Sequence, residues 1–590
     1  MLQDSINKGI FTQVYELPTL IKNNFSHFSF NSLIFENDIK GVFPELFLVS
    51  VTLLLLMYGV YITTSKTKKY PLLVGNVSGL SLLSLFFVLL LLANNPLKHG
   101  FLFYNTLFLD SSTFFAKWLV VCGTFFSLLI SLDYIKLEGL NSFEFVILYL
   151  LSLSSMMFLI SSADFLSMYL GIEFQSLCFY VIAALKRDSE FSTEAGLKYF
   201  ILGAFSSGLL LFGISLIYGF TGTYSFTECS KLFACGGSAS EFFSFRGCQL
   251  GMIFIIVGFL FKLTAFPFHM WAPDVYEGAP TPVTAFFSIA PKVSVLAIFA
   301  RLFLEGFYDF FLSWQKILIF SSIGSMILGA LAAMSQNKIK RLLAYSSIGH
   351  VGYMLVGLCC GTVEGIQALI IYLVIYLVIT VNIFAIILLP VKRVATLGNS
   401  STEYPSKGVA LLLRAKQVDG DRDPSHGHRH VVAKPETIKA FPSVNAIQAE
   451  TKGPILSEKG RLKYTTDLAL MAKTNPLVAF NLTLTMFSIA GIPPLAGFYS
   501  KAYLFFAAMS SGQFLLAVVG VVTSVISCFY YIRLVKIMYF ETPRNWLSFK
   551  RVPKEIGITL GSCLFFLLFF ILYPSPLYLL THKVALVLSF

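Results

Sequence analysis

The amino-acid sequence predicts an all-α polytopic membrane protein with about fourteen transmembrane helices, and three observations support this fold class. Of the 590 residues, 56% are hydrophobic and only 13% are charged, a balance that soluble domains do not have. Apolar runs of about 20 residues, long enough to cross a bilayer core of ~30 Å, recur along almost the whole chain. Short charged or Pro/Gly-rich stretches separate these runs.

The chain divides into four regions. Residues 1–40 form an N-terminal extension with neither the apolar core of a signal peptide nor the Arg-rich composition of an organellar presequence, which predicts insertion without a cleaved targeting segment. The first eleven helices occupy residues 41–390, a polar segment occupies 391–470, and the last three helices occupy 471–590. The predicted spans cover residues 43–63, 73–93, 113–132, 143–162, 164–185, 196–219, 250–270, 281–304, 315–335, 341–360, 365–389, 475–509, 515–537 and 556–579.

Prolines predict breaks in the seventh and twelfth helices. Pro267 lies at the end of the seventh span, and Pro493 and Pro494 lie inside the twelfth, which is too long for one straight crossing. Proline removes a backbone hydrogen bond, and irregular backbone at membrane depth is tolerated where it is enclosed by protein or lines a water-filled cavity. Because the two breaks are five spans apart, they suggest two inverted five-helix repeats that pair helices 4–8 with helices 9–13.

Basic residues predict the orientation in the membrane. Loops after odd-numbered spans are rich in lysine and arginine, so they are expected to face inward, with both termini facing outward. The net charge of +12 is then loop and lipid-surface charge and does not indicate a nucleic-acid partner. The basic residues on the odd side are Lys66, Lys68, Lys69, Lys136, Lys186, Arg187, Lys198, Lys338, Lys340, Arg341, Lys536, Arg544, Lys550, Arg551 and Lys554.

The segment 391–470 is polar, with charges of both signs, in a chain whose other loops are short. This composition predicts a solvated, disordered loop insertion on the inner side. His426, His428 and His430 alternate within it, so an extended chain would present them on one face. A metal site is the alternative interpretation.

No pattern for a redox or nucleotide cofactor occurs in the sequence. The nine cysteines form no CxxC pair and are interpreted as small apolar side chains. No GxGxxG follows a strand, and no GxxxxGK[ST] is present. The sequence therefore predicts no bound cofactor, no metal and no direct NADH binding, so any redox chemistry must take place in another protein.

Four ionisable residues lie deep inside predicted spans: Glu173, Lys262, Lys292 and Lys501. Each costs at least ~2.5 to 3.5 kcal/mol at the bilayer centre on insertion scales, so such residues usually have a function. Burial penalises the charged form of a lysine, which lets it exchange a proton near neutral pH. We therefore predict a proton relay. The alternative is a structural Glu–Lys pair, although three lysines exceed what one glutamate needs.

Other polar residues in the spans have simpler interpretations. His350 lies mid-span, with Ser346, Ser347 and Tyr353 within two turns, and is predicted to belong to the relay. His269 lies beside Trp271 near a helix end, where an interfacial position is as good an explanation as a relay role. Side chains near helix ends can reach the interface, and we assign three residues to this class: Lys117, Lys198 and Arg301.

Four segments together resemble the antiporter-like membrane-arm subunits of respiratory complex I, most strongly the mitochondrial forms of plants. They are "MYLGIEFQSLCFYVIAALKRDSEFSTEAGLKYFILGAFSSGLLLFG", "FKLTAFPFHMWAPDVYEGAPTPVTAFFSIAPKVSV", "KRLLAYSSIGHVGYM" and "FSIAGIPPLAGFYSKAYLFFAA". The resemblance covers residues 40–390 and 462–590. Residues 395–459 interrupt a connection that is short in the family, either as a lineage-specific extension or as a translated stretch that splicing removes.

The resemblance implies a non-redox subunit of a proton-translocating NADH:ubiquinone oxidoreductase in the mitochondrial inner membrane, with other membrane-arm subunits and lipid as its partners. It implies a glutamate–lysine pair at Glu173 and Lys262, a central relay lysine at Lys292 and a distal lysine at Lys501. It also implies a polar central axis that includes His350. Two alternatives remain: a stand-alone or Mrp-type cation/proton antiporter, and a membrane scaffold with an inert ion pair.

Overall fold

The computed structural model describes residues 37–62, 74–138, 142–234, 241–394, 459–460, 462–469, 471–542, 546–549 and 552–589. Within these ranges, twelve helices are long and apolar enough to cross a membrane. The predicted all-α polytopic class is therefore confirmed. The predicted N-terminal extension and most of the polar segment, including His426, His428 and His430, lie outside the described residues.

The helices follow the predicted spans closely, because each apolar run ends at charged residues, proline or glycine. In chain order they are α1 (Phe43–Ile62), α2 (Val74–Ala93), α3 (Ser111–Glu138), α4 (Glu144–Ser161), α5 (Phe165–Ala183), α6 (Glu190–Thr221), α7 (Phe226–Ala234), α8 (Glu241–Leu263), α9 (Trp271–Gly278), α10 (Thr281–Arg301), α11 (Phe311–Met334), α12 (Ile339–Cys360), α13 (Val363–Ile387), α14 (Met471–Thr474), α15 (Pro476–Ala490), α16 (Ala496–Ser510), α17 (Phe514–Phe540), α18 (Lys554–Phe569) and α19 (Ser575–Ser589).

Three helices form the centre of the bundle. α10, α12 and α13 are the most enclosed of the candidate spans, whereas α1, α2 and α6 leave more of their surface free for lipid or other chains. A helix that is apolar all round is suited to such enclosure. α6 packs along α8, and α11 packs along α12. Gly213 and Gly251 allow the first of these close approaches, since a Cβ at either position would lie within 2.8 Å of the other's carbonyl oxygen.

The helix of the seventh predicted span, residues 250–270, already breaks at residues 264–270, and the short helix α9 follows beyond the predicted end. α8 ends in a Schellman motif, in which Ala265 N–H donates to the Leu260 carbonyl (2.9 Å) and Thr264 N–H donates to the Phe261 carbonyl (3.1 Å). Thr264 has a φ of 65°, a left-handed conformation that β-branched residues rarely adopt. The chain then passes Pro267 and continues as the short helix α9.

The twelfth predicted span is divided in the same way. α15 ends in a Schellman motif, in which Ile492 N–H donates to the Phe487 carbonyl and Gly491 N–H donates to the Ser488 carbonyl, both at 3.1 Å. Gly491 supplies the left-handed residue, with a φ of 86°. Pro494 follows three residues later, as Pro267 follows Thr264, and α16 begins at residue 496.

The fourteenth predicted span, residues 556–579, is also divided, which the sequence analysis did not predict. α18 ends at Phe569 and α19 begins at Ser575. Pro574 disfavours helical backbone at the residue before it and cannot donate to a preceding carbonyl. The apolar run therefore continues across a turn as two helices of 16 and 15 residues.

Two short sheets were not predicted. β1 (Gly100–Leu102) and β2 (Leu107–Leu109) form an antiparallel hairpin between α2 and α3, with Phe101 opposite Phe108. A second compact unit comprises residues 391–461 and 544–548. Its described part contains β3 (Val391–Val394) and β4 (Lys459–Gly460), which pair antiparallel, and β5 (Trp546–Phe549) lies on the other side of β3.

Residues 462–469, inside the predicted polar loop, have a defined structure. Thr465 and Leu468 are buried and belong to a 3₁₀ turn. Thr465 N–H donates to the Asn337 carbonyl (2.9 Å), and Ile339 N–H donates to the Lys463 carbonyl (3.0 Å). Residues 462–469 are therefore hydrogen-bonded to the backbone at the start of α12, and the prediction of a free loop was wrong for these residues.

Candidate functional site

A cavity of about 40 Å³ lies in the bundle between α10, α12, α13 and the broken pair α15 and α16. Serine, tyrosine, histidine and lysine side chains line part of its wall in an otherwise apolar interior. Polar groups around an enclosed space of this size can hold water, which an apolar void does not. Two predicted site residues, His350 and Lys501, line the cavity, and a third, Lys292, donates a hydrogen bond to the lining residue Tyr376.

Lys292 reaches the cavity through a tyrosine. Its ammonium donates a hydrogen bond to the Tyr376 hydroxyl at 3.1 Å, and the lysine is only 3% exposed. Pro291 lies next to it inside α10, where it removes one backbone donor from the helix. Tyr376 in turn packs against His350, with ring centroids 5.4 Å apart. Lys292 is therefore linked to the centre of the cavity by one side chain.

His350 is held by tyrosines on two other helices. Its Nδ1 lies 2.7 Å from the Tyr372 hydroxyl of α13, and its Nε2 lies 3.3 Å from the Tyr531 hydroxyl of α17. Tyr531 also hydrogen-bonds to Ser346 on α12. Because neutral imidazole has one donor and one acceptor nitrogen, one tyrosine donates to the ring and the other accepts from it. Reversing both hydrogen bonds moves a proton from one side of the ring to the other.

Lys501 completes the far end of the cavity. Its ammonium donates to the carbonyls of Ile489 (2.7 Å) and Ala490 (3.0 Å), at the end of α15. The last carbonyls of a helix have no partner within the helix and carry the negative end of its dipole, so they attract a cation. The Lys501 ammonium also lies over the Tyr353 ring, 5.3 Å from its centroid. The Tyr353 hydroxyl forms a hydrogen bond of 3.1 Å with Thr523 Oγ1, in which either group can be the donor.

The predicted pair Glu173 and Lys262 is brought to one region, but no salt bridge within 4.0 Å joins them among the described residues. Three buried polar atoms there have no hydrogen-bond partner: Glu173 Oε1, Lys262 Nζ and the Tyr180 hydroxyl. The Lys262 ammonium lies 6.0 Å from the Tyr180 ring centroid. Tyr180 and Glu173 are seven residues apart on α5 and therefore share a face. Such unsatisfied groups are costly when dry, so this arrangement suits water molecules between them.

His269 lies away from these contacts. It is buried, its Nδ1 has no hydrogen-bond partner, and its ring packs on Phe266, with centroids 5.8 Å apart. Neither a relay contact nor an exposed interfacial position is observed for its side chain. Trp271 instead fixes the break, since its indole N–H donates to the Phe261 carbonyl at the end of α8 (3.1 Å).

Two residues that were interpreted as reaching the interface are instead buried. Lys117 is 1% exposed and forms an ion pair of 2.5 Å with Glu45, which is equally buried. Arg301 is 3% exposed and donates to the Ile160 carbonyl (2.9 Å) and to Ser112 Oγ (3.1 Å). The interpretation was wrong for both because each lies near a helix end in sequence but is covered by neighbouring helices. Lys198 is partly exposed, as predicted.

Ion pairs anchor α9, the short helix that follows the break after α8. Asp274 on α9 accepts hydrogen bonds from Arg341 (2.5 Å) and Lys198 (3.3 Å), and Glu277 pairs with Lys338. Burial alone would raise the pKa of Asp274, but the hydrogen bonds from Arg341 and Lys198 outweigh it and hold the pKa below its usual value. The cluster holds α9 to α6 and α12 and so fixes where the break lies.

The sequence did not predict the roles of Tyr372, Tyr376 and Tyr531 or the Glu45–Lys117 pair. Tyr372 and Tyr376 are four residues apart on α13, which places them on one face of the helix, and this spacing was the available signal. Tyr531 could not be found in this way, because only the fold brings this residue of α17 to Ser346 and His350 of α12. Among the described residues, no group of three or more His, Cys, Asp or Glu side chains could hold a metal ion.

The arrangement places hydrogen-bonding side chains around one cavity. Tyr376, His350, Tyr372 and Lys501 line it and Lys292 donates to Tyr376, and each is a donor, an acceptor or both. A charge placed at one end would shift hydrogen bonds toward the other. No reactive nucleophile or electron carrier is required for this chemistry.

Comparisons with known proteins agree with this architecture. A family model described as "NADH:quinone oxidoreductase/Mrp antiporter, TM" matches residues 162–403 and 442–527. The intervening residues 404–441 fall within the predicted insertion. Among curated relatives, NADH-ubiquinone oxidoreductase chain 2 of Marchantia polymorpha is 52% identical over 557 residues, covering 94% of this chain and 99% of the relative.

Solved structures share the fold at low sequence identity. A chain of respiratory complex I from Thermus thermophilus with bound aureothin aligns with a TM-score of 0.65 at 24% identity, covering 91% of this chain and 98% of that one. A chain of the Mrp complex from Dietzia sp. DQ12-45-1b aligns with a TM-score of 0.69 at 18% identity, covering 93% and 98%. At these identities the likeness concerns the fold alone.

Proposed function

This chain belongs to the NADH:quinone oxidoreductase/Mrp antiporter membrane family, and we propose that it is the antiporter-like, proton-translocating subunit of an NADH:ubiquinone oxidoreductase. The observation that carries the proposal is the buried polar line from Lys292 through Tyr376 and His350 to Lys501 around one cavity. Buried ionisable groups in a membrane protein usually mark an ion pathway.

Within this function, Glu173 and Lys262 form the input end. Both carry unpartnered buried polar atoms, and the break after Lys262 leaves irregular backbone beside them. Irregular backbone at membrane depth is suited to a hydrated site. A proton that enters here would be held by Lys262, and the nearby Glu173 carboxylate would stabilise the charged form. Tyr180 lies where it can exchange hydrogen bonds with both through water.

The next steps use this chain's own side chains. Lys292 receives the proton and polarises the Tyr376 hydroxyl, to which it donates. His350 passes protonation across its two ring nitrogens between Tyr372 and Tyr531. Lys501 accepts it at the far end, where the carbonyls of Ile489 and Ala490 stabilise an ammonium. Water in the cavity closes the remaining gaps.

The proposal extends to the setting of the protein. The subunit acts without a cofactor and without binding NADH, because electron transfer in other subunits supplies the driving force. Its partners are the other membrane-arm subunits and the lipid of the mitochondrial inner membrane. Fourteen crossings with inverted repeats of helices 4–8 and 9–13 complete the architecture, and the matching Schellman motifs before Pro267 and Pro494 support the pairing of helix 7 with helix 12.

The test is a pair of substitutions in the assembled enzyme. Lys262→Ala and Lys292→Ala should each lower NADH-driven proton pumping and coupled quinone reduction, while the complex still assembles. Lys231→Ala replaces an exposed lysine on α7 and should leave pumping unchanged. Normal pumping in an assembled Lys292→Ala enzyme would refute the relay.

A second candidate function is that of an Mrp-type cation/proton antiporter, which the shared fold with the Dietzia Mrp chain supports. Purification separates the two. Migration of the chain in a large NADH-oxidising assembly excludes the antiporter. Exchange of sodium for protons by the isolated chain in liposomes excludes the subunit.

A further inference from the structure

A second cavity, of about 40 Å³, lies on another face of α10. The stripe of α10 that borders it has helical spacing and consists of Val293, Leu296, Ala297, Ala300 and Arg301. From Val293 to Arg301 this stripe extends about 12 Å along the helix axis. The other walls come from α3, α4, α13 and α19.

The second cavity lies beside the proposed proton path. Val293 follows Lys292 directly in sequence, and Leu373 of α13 lines the second cavity while Tyr372 and Tyr376 line the first. The two cavities therefore border different faces of the same two helices, α10 and α13. Water in the second cavity would contact Val293, the residue next to Lys292.

Arg301 closes the end of this cavity that is predicted to face outward. Its guanidinium spans α4 and α3 by donating to the Ile160 carbonyl and to Ser112 Oγ. Ser112 Oγ in turn donates to Asp110 Oδ2 (3.2 Å), and Asp110 lies 3.6 Å from His99 Nδ1. His99 is 72% exposed. A polar chain thus connects the surface to Arg301, and the apolar cavity begins behind it.

The charges are arranged in a definite order. Among the described residues that line the second cavity, Arg301 carries the only charge. Asp110 and Glu305 are near the guanidinium, with Glu305 at 3.7 Å, but neither lines the cavity. A proton that entered from outside would therefore meet carboxylates first and then a cation. Guanidinium keeps its proton at any physiological pH and accepts no hydrogen bond, so it cannot carry the proton onward.

We propose that Arg301 is an electrostatic plug that prevents protons from leaking between the outer side and Lys292 through this cavity. A fixed positive charge at a narrow, poorly hydrated passage repels protons and other cations. Protons at Lys292 can then move only along the path through Tyr376 and His350 to Lys501. Arg301 is a positioning and barrier residue, and it does not take part in proton transfer.

The inference rests on the proposed function, but its test measures a different quantity. Passive proton permeability is followed with a trapped pH-sensitive dye in proteoliposomes of the whole complex, without NADH. Arg301→Gln keeps much of the side-chain volume and removes the charge, so permeability should rise about tenfold over the unmodified complex. NADH-driven pumping in the unmodified complex reports separately on the proposed function.

Two matched variants separate charge from packing. Arg301→Lys keeps the charge but loses the two-point anchoring, so its permeability should stay near that of the unmodified complex even if its stability falls. Adding Ala297→Leu to Arg301→Gln fills the cavity and should restore low permeability. A leak in Arg301→Lys as large as in Arg301→Gln would show that only packing matters and would overturn the plug.

A third variant tests the barrier without changing Arg301. Ala297→Cys places a thiol in the second cavity, where a positively charged, membrane-impermeant thiol reagent added from outside should not modify it. Rapid modification of Cys at this position with Arg301 intact would overturn the proposal, even if Arg301→Gln fails to assemble. Unchanged permeability in an assembled Arg301→Gln complex would overturn it as well.

Discussion

The Lys501 ammonium donates a hydrogen bond of 2.7 Å to the carbonyl of Ile489, which lies twelve residues earlier and on the other side of a helix break. The break releases this carbonyl from its helix, and the lysine takes the place of the missing backbone donor. This hydrogen bond thus joins α16 to the end of α15 and holds the Lys501 ammonium at the cavity wall. The same residue can be essential for both structure and proton transfer.

Lys501→Met should separate these two roles. It keeps the apolar stem and leaves two helix-end carbonyls without their donor, which should cost roughly 1 to 3 kcal/mol of unfolding free energy. Proton pumping should be lost more completely than stability, because no proton carrier remains. Thermal unfolding and NADH-driven pumping of the assembled complex measure the two effects. Full pumping in Lys501→Met would exclude Lys501 from the relay.

Gly491→Ala should disturb Lys501 without touching its charge. Gly491 has a φ of 86°, and a Cβ there would lie 3.1 Å from Lys501 Cδ. The left-handed backbone alone costs about 1 to 2 kcal/mol for a residue with a Cβ. The contact should also displace the ammonium and reduce pumping.

Gly512→Ala is the matched control for this substitution. Gly512 also has a positive φ, 77°, but nothing lies within 4 Å of an added Cβ. It should therefore lose similar stability through the backbone and keep normal pumping. Equal pumping in Gly491→Ala and Gly512→Ala would contradict a positional requirement at Lys501.

Tyr376→Phe should weaken the link between Lys292 and His350. The ring that packs on His350 is kept, whereas the hydroxyl that accepts from the Lys292 ammonium is removed. Loss of a hydrogen bond to a charged group corresponds to about 1.5 to 3 kcal/mol. Pumping should fall severalfold, with assembly unchanged. Tyr308→Phe, at an exposed tyrosine, is the control and should have no effect; a Tyr376→Phe enzyme that pumps like it would refute the link.

Lys117→Met should destabilise the packing of α1 against α3, because it leaves the Glu45 carboxylate buried without its cation. Breaking a buried ion pair on one side costs roughly 3 to 5 kcal/mol, whereas replacing both partners is often close to neutral. The double variant Glu45→Gln/Lys117→Met should therefore recover most of the stability. The yield of assembled complex and its thermal unfolding report both results. Additive losses in the double variant would show that the pair contributes little as a pair.

The sequence by itself determined the membrane class, the helix positions and the residues most costly to bury. These properties follow from local composition. A span needs about 20 apolar residues, and a charged residue among them costs free energy of insertion, so it usually has a function. The positions of the breaks at Pro267 and Pro494 follow from proline chemistry in the same way. The polar line around His350 was predicted only as far as His350 and the lysines themselves.

Tertiary structure alone decided which side chains meet. Lys117 and Arg301 lie near helix ends, and their burial depends on Glu45 in α1 and on Ile160 in α4, which are distant in sequence. Tyr531 reaches His350 because α17 packs on this side of the bundle. Helix periodicity specifies a face but not the partner of that face, so contacts between helices far apart in sequence are set by packing, which the local pattern does not contain.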